Sequence, residues 1–589
     1  MTATDTWTAT AGNITITTAG AATIDGHVTT ATSGDITVRS TNALTITDMK
    51  TITSAGGLDI VSGSIASGTA TIMTADEVKV TGAWIAAGSL TVASTNQGIA
   101  LYDDVVTTQG NLTLISNAAT GVLVLDGTRR LTASGAMSLR GSFASTAAAT
   151  INATRELNVK MTDAWSASAG TLSFITDNAM FVDAHVRTTT SGDIAVQSVG
   201  PLTLANAASF TSAETATFTC GSIVSSAATV AATKAIAVTG AWTATGTISV
   251  TSHEAGVTLN SDLTTTGGAS RNIHVNSTSP SGVLTLTGTR VITSSGGLAV
   301  LADSVVSAAT KLAMTGAASI RVTDTWTATA GDFEVDGGAT VLLDANLTTA
   351  TSGNVTITSV GALTITDAKT TLSAGTITAT SASIGSGAAT WVSVGAMVVT
   401  APWRSLGHVS MTSTNAGVRL GSDITTTGVG SNLVIVSNAA KGTFELAGSR
   451  VLEATGAMLI TADSIKSEAA TLNSTYAMTL TGAWTATGTI AVTSHGAGVT
   501  LNSDLTTTGG ASRNIHVNSM LPSGVLTLTG TRVITSSGGL VVIADSVVSA
   551  ATKLAMTGAA SIRVTDTWTA TAGDFEVDGG ATVLLEMRI

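Results

Sequence analysis

Gly12-Asn13-Ile14-Thr15-Ile16-Thr17-Thr18-Ala19-Gly20-Ala21-Ala22-Thr23-Ile24-Asp25-Gly26-His27-Val28-Thr29-Thr30-Ala31-Thr32-Ser33 holds three short runs of alternating apolar and polar residues within 22 positions. Alternation at period two puts Ile14 and Ile16 on one side of an extended chain and Thr15 and Thr17 on the other. The spacing predicts strands near 14–17, 22–24 and 28–31, separated by Gly- and Asp-bearing corners. The opening motif, Gly-x-φ-x-φ with φ apolar, returns as Gly34-Asp-Ile-Thr-Val38, Gly88-Ser-Leu-Thr-Val92, Gly110-Asn-Leu-Thr-Leu114, Gly192-Asp-Ile-Ala-Val196 and Gly353-Asn-Val-Thr-Ile357.

The first apolar positions form a series: Ile14, Ile36, Leu58, Val78, then Leu90, Leu112, Met137 and Leu157. Most steps are 20 to 25 residues, and one short step falls at a tryptophan. One such coil cannot bury its apolar side by itself. Coils stacked at ~4.8 Å make each side a parallel sheet around a shared core. The expected fold is therefore all-β: a right-handed parallel β-helix (β-solenoid) with three short strands per coil of about 20–25 residues. Roughly 25 coils at that rise would extend ~120 Å. A string of sandwich domains is the competing architecture, but the even spacing supplies neither hairpin turns nor linkers.

Composition agrees. Charged residues make up 11% and aromatics 3% of the 589 residues, and mean hydropathy is +0.42. β-Branched and small residues dominate, which excludes both a helical bundle and a disordered chain. The net charge of −12 is thinly spread, with no basic stripe for a nucleic acid. No apolar run approaches the ~20 residues of a membrane-spanning helix. Cys220 is the single cysteine, so no internal disulfide can form.

Eight of nine tryptophans (Trp7, Trp84, Trp165, Trp242, Trp326, Trp403, Trp484 and Trp568) recur 77 to 84 residues apart, and Trp391 lies out of register. The unit of about 80 residues has two flavours. Asp stands two residues before Trp at Asp5, Asp163, Asp324 and Asp566; Gly82, Gly240, Gly482 or Ala401 stands there otherwise. Thr239 to Leu343 is nearly repeated at Thr481 to Leu585, offset by 242 residues. The six differences are Ser249/Ala491, Glu254/Gly496, Thr278/Met520, Ser279/Leu521, Ala299/Val541 and Leu301/Ile543. A chain that tolerates such a copy works by length and surface repetition. Residues 1–589 read as one continuous repeat domain, and both ends fall inside a repeat, as in a piece of a longer protein.

No catalytic, cofactor or metal site is expected. His27 and His185 correspond to Asn346, while His253/His495 and His274/His516 are duplicates far apart along the chain. Asp103-Asp104, the one adjacent acidic pair, lacks the partners that carbohydrate chemistry would require. Tryptophan at the short step fits a bulky filler of an irregular corner better than a sugar-stacking platform. Thr-Thr corners such as Leu263-Thr-Thr-Thr266, Leu505-Thr-Thr-Thr508 and Ile424-Thr-Thr-Thr427 raise an ice-binding alternative, interrupted by Asp35, Arg39, Asp59, Lys79 and Arg321.

Ser-Gly-Asp-Ile-Thr-Val, Ala-Gly-Gly-Leu-Asp-Ile and Gly-Asn-Leu-Thr-Leu at ~22-residue spacing resemble the β-helical repeats of filamentous haemagglutinin-type adhesins and autotransporter passengers. The resemblance spans essentially the whole chain. It implies a triangular β-helix displayed outside the cell, holding binding regions away from the surface. No functional residue carries over; Asn-Pro-Asn and Arg-Gly-Asp motifs are absent. The expectation is a non-enzymatic, adhesin-like structural protein, secreted or cell-surface, without cofactors. Its partners would be surface glycans or host and cell-surface proteins, with end-to-end self-association through unprotected end coils. Binding of ice or another crystal surface is the alternative, and a carbohydrate-active enzyme is third.

Overall fold

The series read from motif spacing is a set of hydrogen-bonded ladders. Ile14 pairs with Ile36, Ile36 with Leu58 and Leu58 with Val78, every step parallel. Leu90, Leu112, Met137 and Leu157 form a second such column. The computed structural model describes residues 1–116, 121–277, 282–438, 440–519, 523–550 and 552–588, and of residues 161–163, 587 and 588 the backbone alone. Thr278, Ser279, Met520 and Leu521 lie outside the described residues, as does the side chain of Asp163.

The chain is a parallel β-solenoid of about 27 turns, 65% strand, with no helix among the described residues. It divides into two compact units, Met1–Thr287 with Thr293–Asp303, and Gly288–Ile292 with Ser304–Ile589. In the first unit each turn supplies one strand to each of three sheets. Sheet a includes Ala22–Ile24, 43–46, 64–67 and 83–86; sheet b includes Val28–Thr30, Lys50–Ser54, Ala70–Thr74 and Leu90–Ser94; sheet c includes Ile14–Thr18, 36–40, 58–61 and 78–81. The predicted strands at 14–17, 22–24 and 28–31 are found at Ile14–Thr18, Ala22–Ile24 and Val28–Thr30. The second unit repeats the plan. Sheet d includes Lys369–Ser373, Ala389–Ser393 and Val409–Ser413; sheet e includes Ile377–Thr380, Met397–Val399 and Val418–Leu420; sheet f includes Ser383–Ser386, Trp403–Ser405 and Ile424–Thr426.

Inward positions are apolar and almost fully covered; the buried polar side chains among the described residues are all Ser or Thr. These hydroxyls serve the corners. Ser54 Oγ donates to the carbonyls of Gly34 and Gly57, and Ser198 Oγ to those of Asn178 and Gly200. Short hydroxyls suit this place because a buried carbonyl left unpaired would cost about 1–3 kcal/mol.

The residue after glycine in Gly-x-φ-x-φ fastens each turn to the next. Asn13 Oδ1 accepts the amide of Asp35 at 2.8 Å, and Asp35 Oδ1 accepts the amide of Gly57 at 2.7 Å. Asn111 and Asn354 do the same after glycine, and Asn272, Asn432 and Asn514 do it at the same place before the apolar pair, after Arg271, Ser431 and Arg513. A short carboxamide or carboxylate reaches one inter-strand spacing, which explains why the motif so often reads Gly-Asn or Gly-Asp.

The short step in the series has a geometrical meaning. Val78 is on sheet c and Leu90 on sheet b, two strands later, so the motif advances by two-thirds of a turn. The tryptophans move in the same way. Trp7, Trp84, Trp165 and Trp242 sit on sheets b, a, c and b in turn. Trp326, Trp403, Trp484 and Trp568 sit on sheets d, f, e and d. Each ~80-residue unit therefore spans three and two-thirds turns, or eleven strands, and three units restore the original sheet. Trp326 and Trp568 are eleven pairing steps apart on sheet d and 242 residues apart in sequence, a mean of 22 per turn. The nearly identical block was copied at this same offset of 242.

Candidate interaction surface

Each register tryptophan follows a bend between two sheets and points inward. Trp84, Trp165, Trp242, Trp326, Trp403 and Trp484 are at most 1% exposed. Six of the eight donate the indole N–H to a serine of the preceding turn, buried in every case but the half-buried Ser467. The pairs are Trp84–Ser67, Trp242–Ser225, Trp326–Ser307, Trp403–Ser386, Trp484–Ser467 and Trp568–Ser549, at 2.8–3.2 Å. The sequence signal, Ile-x-Ser or Val-x-Ser 17 or 19 residues before Trp, is visible in retrospect. The filler reading is thus correct in kind. The ring lies within a sheet just past the bend, not in the corner itself. Trp391 is also interior, 4.7 Å from the Trp403 ring centroid.

The two flavours of unit differ in the bend. Gly82, Gly240 and Gly482 have φ of +119°, +117° and +121°, and a Cβ on any of them would lie 2.3–2.4 Å from a carbonyl oxygen of the preceding turn. At Asp324 the chain bends without glycine, and Asn346 Nδ2 donates to the Asp324 carbonyl at 3.1 Å.

Three of the histidines and the acidic pair take part in the corners, while His274 and His516 lie mid-strand. His27 Nδ1 accepts the amide of Thr51 at 3.2 Å, and Asn346 Oδ1, its counterpart, accepts the amide of Thr370 at 3.0 Å. A nitrogen acceptor and an amide oxygen are interchangeable there. His408 Nδ1 accepts the amide of Asn432 at 2.8 Å, and His185 Nδ1 lies 2.7 Å from Ser209 Oγ. Asp103 Oδ2 accepts the amide of Gly82 and Asp104 Oδ1 that of Arg130, so the pair fastens one turn back and one turn forward. Among the described residues no three His, Cys, Asp or Glu come together as a metal-holding group. No helix among them is long and apolar enough to cross a membrane.

Exposed charges pair across neighbouring strands. Arg39 meets Asp59 at 2.6 Å, Lys311 meets Glu334 at 2.6 Å, and Arg419 meets Glu445 at 3.1 Å. Asp344 is more enclosed. Burial pushes its pKa up, but the Thr366 hydroxyl, Lys369 and Arg321 together hold it below the usual value. An open groove of about 670 Å³ crosses sheet f, where outward Gly385 leaves the strand bare between Thr364 and Arg404, with Asp423 at its edge.

Threonine forms one long outward row. Thr51, Thr71, Thr91 and Thr113 are direct neighbours on four successive turns of sheet b, continued by Ser138. The adjacent row reads Thr53, Met73, Ala93, Ile115 and Arg140, so just one of these turns presents Thr-x-Thr. No protein-family model, curated protein or solved structure matches the chain.

Proposed function

We propose that this protein is a non-enzymatic solenoid scaffold of adhesin-like type, working outside the cell or at its surface. Its partners are surface glycans or cell-surface proteins. The observation that carries this reading is the copied block. An offset of eleven turns returns the Trp326 position to sheet d at Trp568, so along that sheet a copy at this offset lengthens a display surface without rearranging it. An offset of one unit would move each row to a neighbouring sheet. The test is to incubate the purified chain with intact cells, immobilised glycans and soluble polysaccharides. Saturable binding without turnover is the expected result; cleavage of a polysaccharide would overturn the reading.

The Thr51–Thr71–Thr91–Thr113 row supports a second reading, binding to ice or another crystal surface. Thermal hysteresis that disappears on Thr71→Lys with Thr91→Lys would favour it over adhesion.

A further inference from the structure

Charge is distributed unevenly over the second unit. Sheet d can be followed through thirteen strands, from residues 305–307 to 568–570. Its outward positions hold only Thr, Ser, Asn, Gly, Val and Leu. Lys369 begins one of these strands, and its ammonium pairs with Asp344 at 2.9 Å. Sheet e by contrast presents Arg419, Glu445 and Lys466 in one row, and sheet f presents Arg404, Glu453 and Arg563.

Exposed apolar side chains follow the same division. Outside its last turn, the described part of this unit has eight exposed large apolar side chains. Val306, Leu372 and Val548 are on sheet d itself. Leu406, Val429 and Tyr476 stand at the corner leading from sheet f into it, and Val394 at the corner leaving it, with Leu406 70% and Val429 103% exposed. Val360 alone lies elsewhere. Val392, Val434, Val436 and Leu459 add half-buried aliphatic surface between them.

We propose that sheet d is a self-association face, and that its occupant is sheet d of a second copy of this chain. Three arguments favour that occupant. A charge-free face meets itself around a two-fold axis with no like-charge penalty, whereas the rows on sheets e and f would oppose like charges in many registers. Thirteen strands at ~4.8 Å and about five residues of width at ~3.3 Å give on the order of 1,000 Å² per copy. A stable interface needs about 800 Å² per partner. Aliphatic columns flanked by threonine also interdigitate well, as paired sheets do. A sugar surface would call for aromatic side chains, but the tryptophans face inward. An ice lattice would call for an unbroken hydroxyl row, and Val434 and Leu459 break it. This inference does not depend on the adhesin-like reading.

Sedimentation velocity on the full chain across about 1–100 μM tests the proposal. The parent should be a dimer at the upper end. The combined variant Val392→Lys, Val434→Lys and Leu459→Lys should be monomeric throughout, with its β-sheet circular dichroism retained. A control with Thr356→Lys and Val398→Lys, outward on sheet e, should dimerise like the parent. If the lysine variant loses its β-sheet signal, Val392→Thr with Val434→Thr and Leu459→Thr decides, and should raise the dimer Kd at least about tenfold. A parent that stays monomeric, lysine or threonine variants that dimerise as well as the parent, or a control that dissociates equally would each overturn it. Dimers that persist in the lysine variant would place association elsewhere, such as the end coils.

Discussion

Trp165 Nε1 and Ser145 Oγ occupy the positions that are hydrogen-bonded in six other units, yet both are buried and neither has a partner. The cause stands beside them. Trp165 pairs with Phe143, whereas the bonded tryptophans pair with Ile65, Ile223, Val305, Ile384, Ile465 and Val547. The Phe143 ring lies 3.6 Å from the indole, centroid to centroid, and Phe174 meets it in an edge arrangement at 4.8 Å. Aromatic packing has replaced the hydrogen bond. Ser307→Ala should therefore cost about 1–3 kcal/mol, because it strands a buried indole N–H. Ser145→Ala should be neutral or stabilising. Hydrogen exchange of the flanking strands reads both locally, which suits a stacked protein better than a global midpoint.

Gly82→Ala should loosen its turn by more than ~2 kcal/mol, since the new methyl meets the Ser62 carbonyl at 2.3 Å and φ is +119°. Gly12→Ala is the control. Its φ is also positive, but nothing lies within 4 Å, so its cost should stay near ~1 kcal/mol. Limited proteolysis near residues 80–84 should separate the two; equal susceptibility would refute the steric account.

Asn354→Ala should release the amide and hydroxyl of Thr376, which now donate to Asn354 Oδ1 at 2.8 and 2.9 Å. The expected loss is about 1 kcal/mol at that corner. Asn354→Asp keeps an acceptor, as Asp35 and Asp193 do at equivalent corners, and should restore most of it. Exchange of the Thr376 amide is the direct measurement.

Cys220 is 7% exposed, and burial pushes its thiol up to about 12. At pH 8 its labelling by iodoacetamide should be on the order of 1,000-fold slower than that of a free cysteine until the chain unfolds. The raised value means that the folded state holds the proton longer. The stabilising term is complete below about pH 9 and declines as pH rises towards about 12. Cys220→Ala should flatten that alkaline decline in thermal unfolding.

Asp344→Asn should mark the opposite limb of the pH profile. The carboxylate is favoured by Thr366, Lys369 and Arg321 against the cost of burial, so its folded pKa lies below the ordinary value. That contribution is present above the unfolded carboxylate pKa and is lost as pH falls through the lower folded one. The variant should lose stability at neutral pH yet match the parent under strong acid, as read by circular dichroism.

Much of this was legible in the chain itself. The ladder Ile14–Ile36–Leu58–Val78 and the three strands of the first full turn could be read directly, because period-two alternation leaves one choice of buried side. The equivalence of His27 with Asn346 was legible too, although not that both accept a backbone amide from the next turn. The uncharged face was hidden. Thr370, Thr390 and Ser410 are 20 residues apart in sequence, and nothing local distinguishes them from threonines on sheets e and f.

Sequence alone determined the strand periodicity, the coil length, the parallel stacking and the eightfold tryptophan unit, because these are properties of near neighbours along the chain. The tertiary structure decided which sheet each residue faces. The unit is three and two-thirds turns long, so identical motifs land on different sheets, and three units must pass before a residue type returns to its own. That mismatch between an eleven-strand repeat and a three-sided core becomes visible only when the pairing register is known.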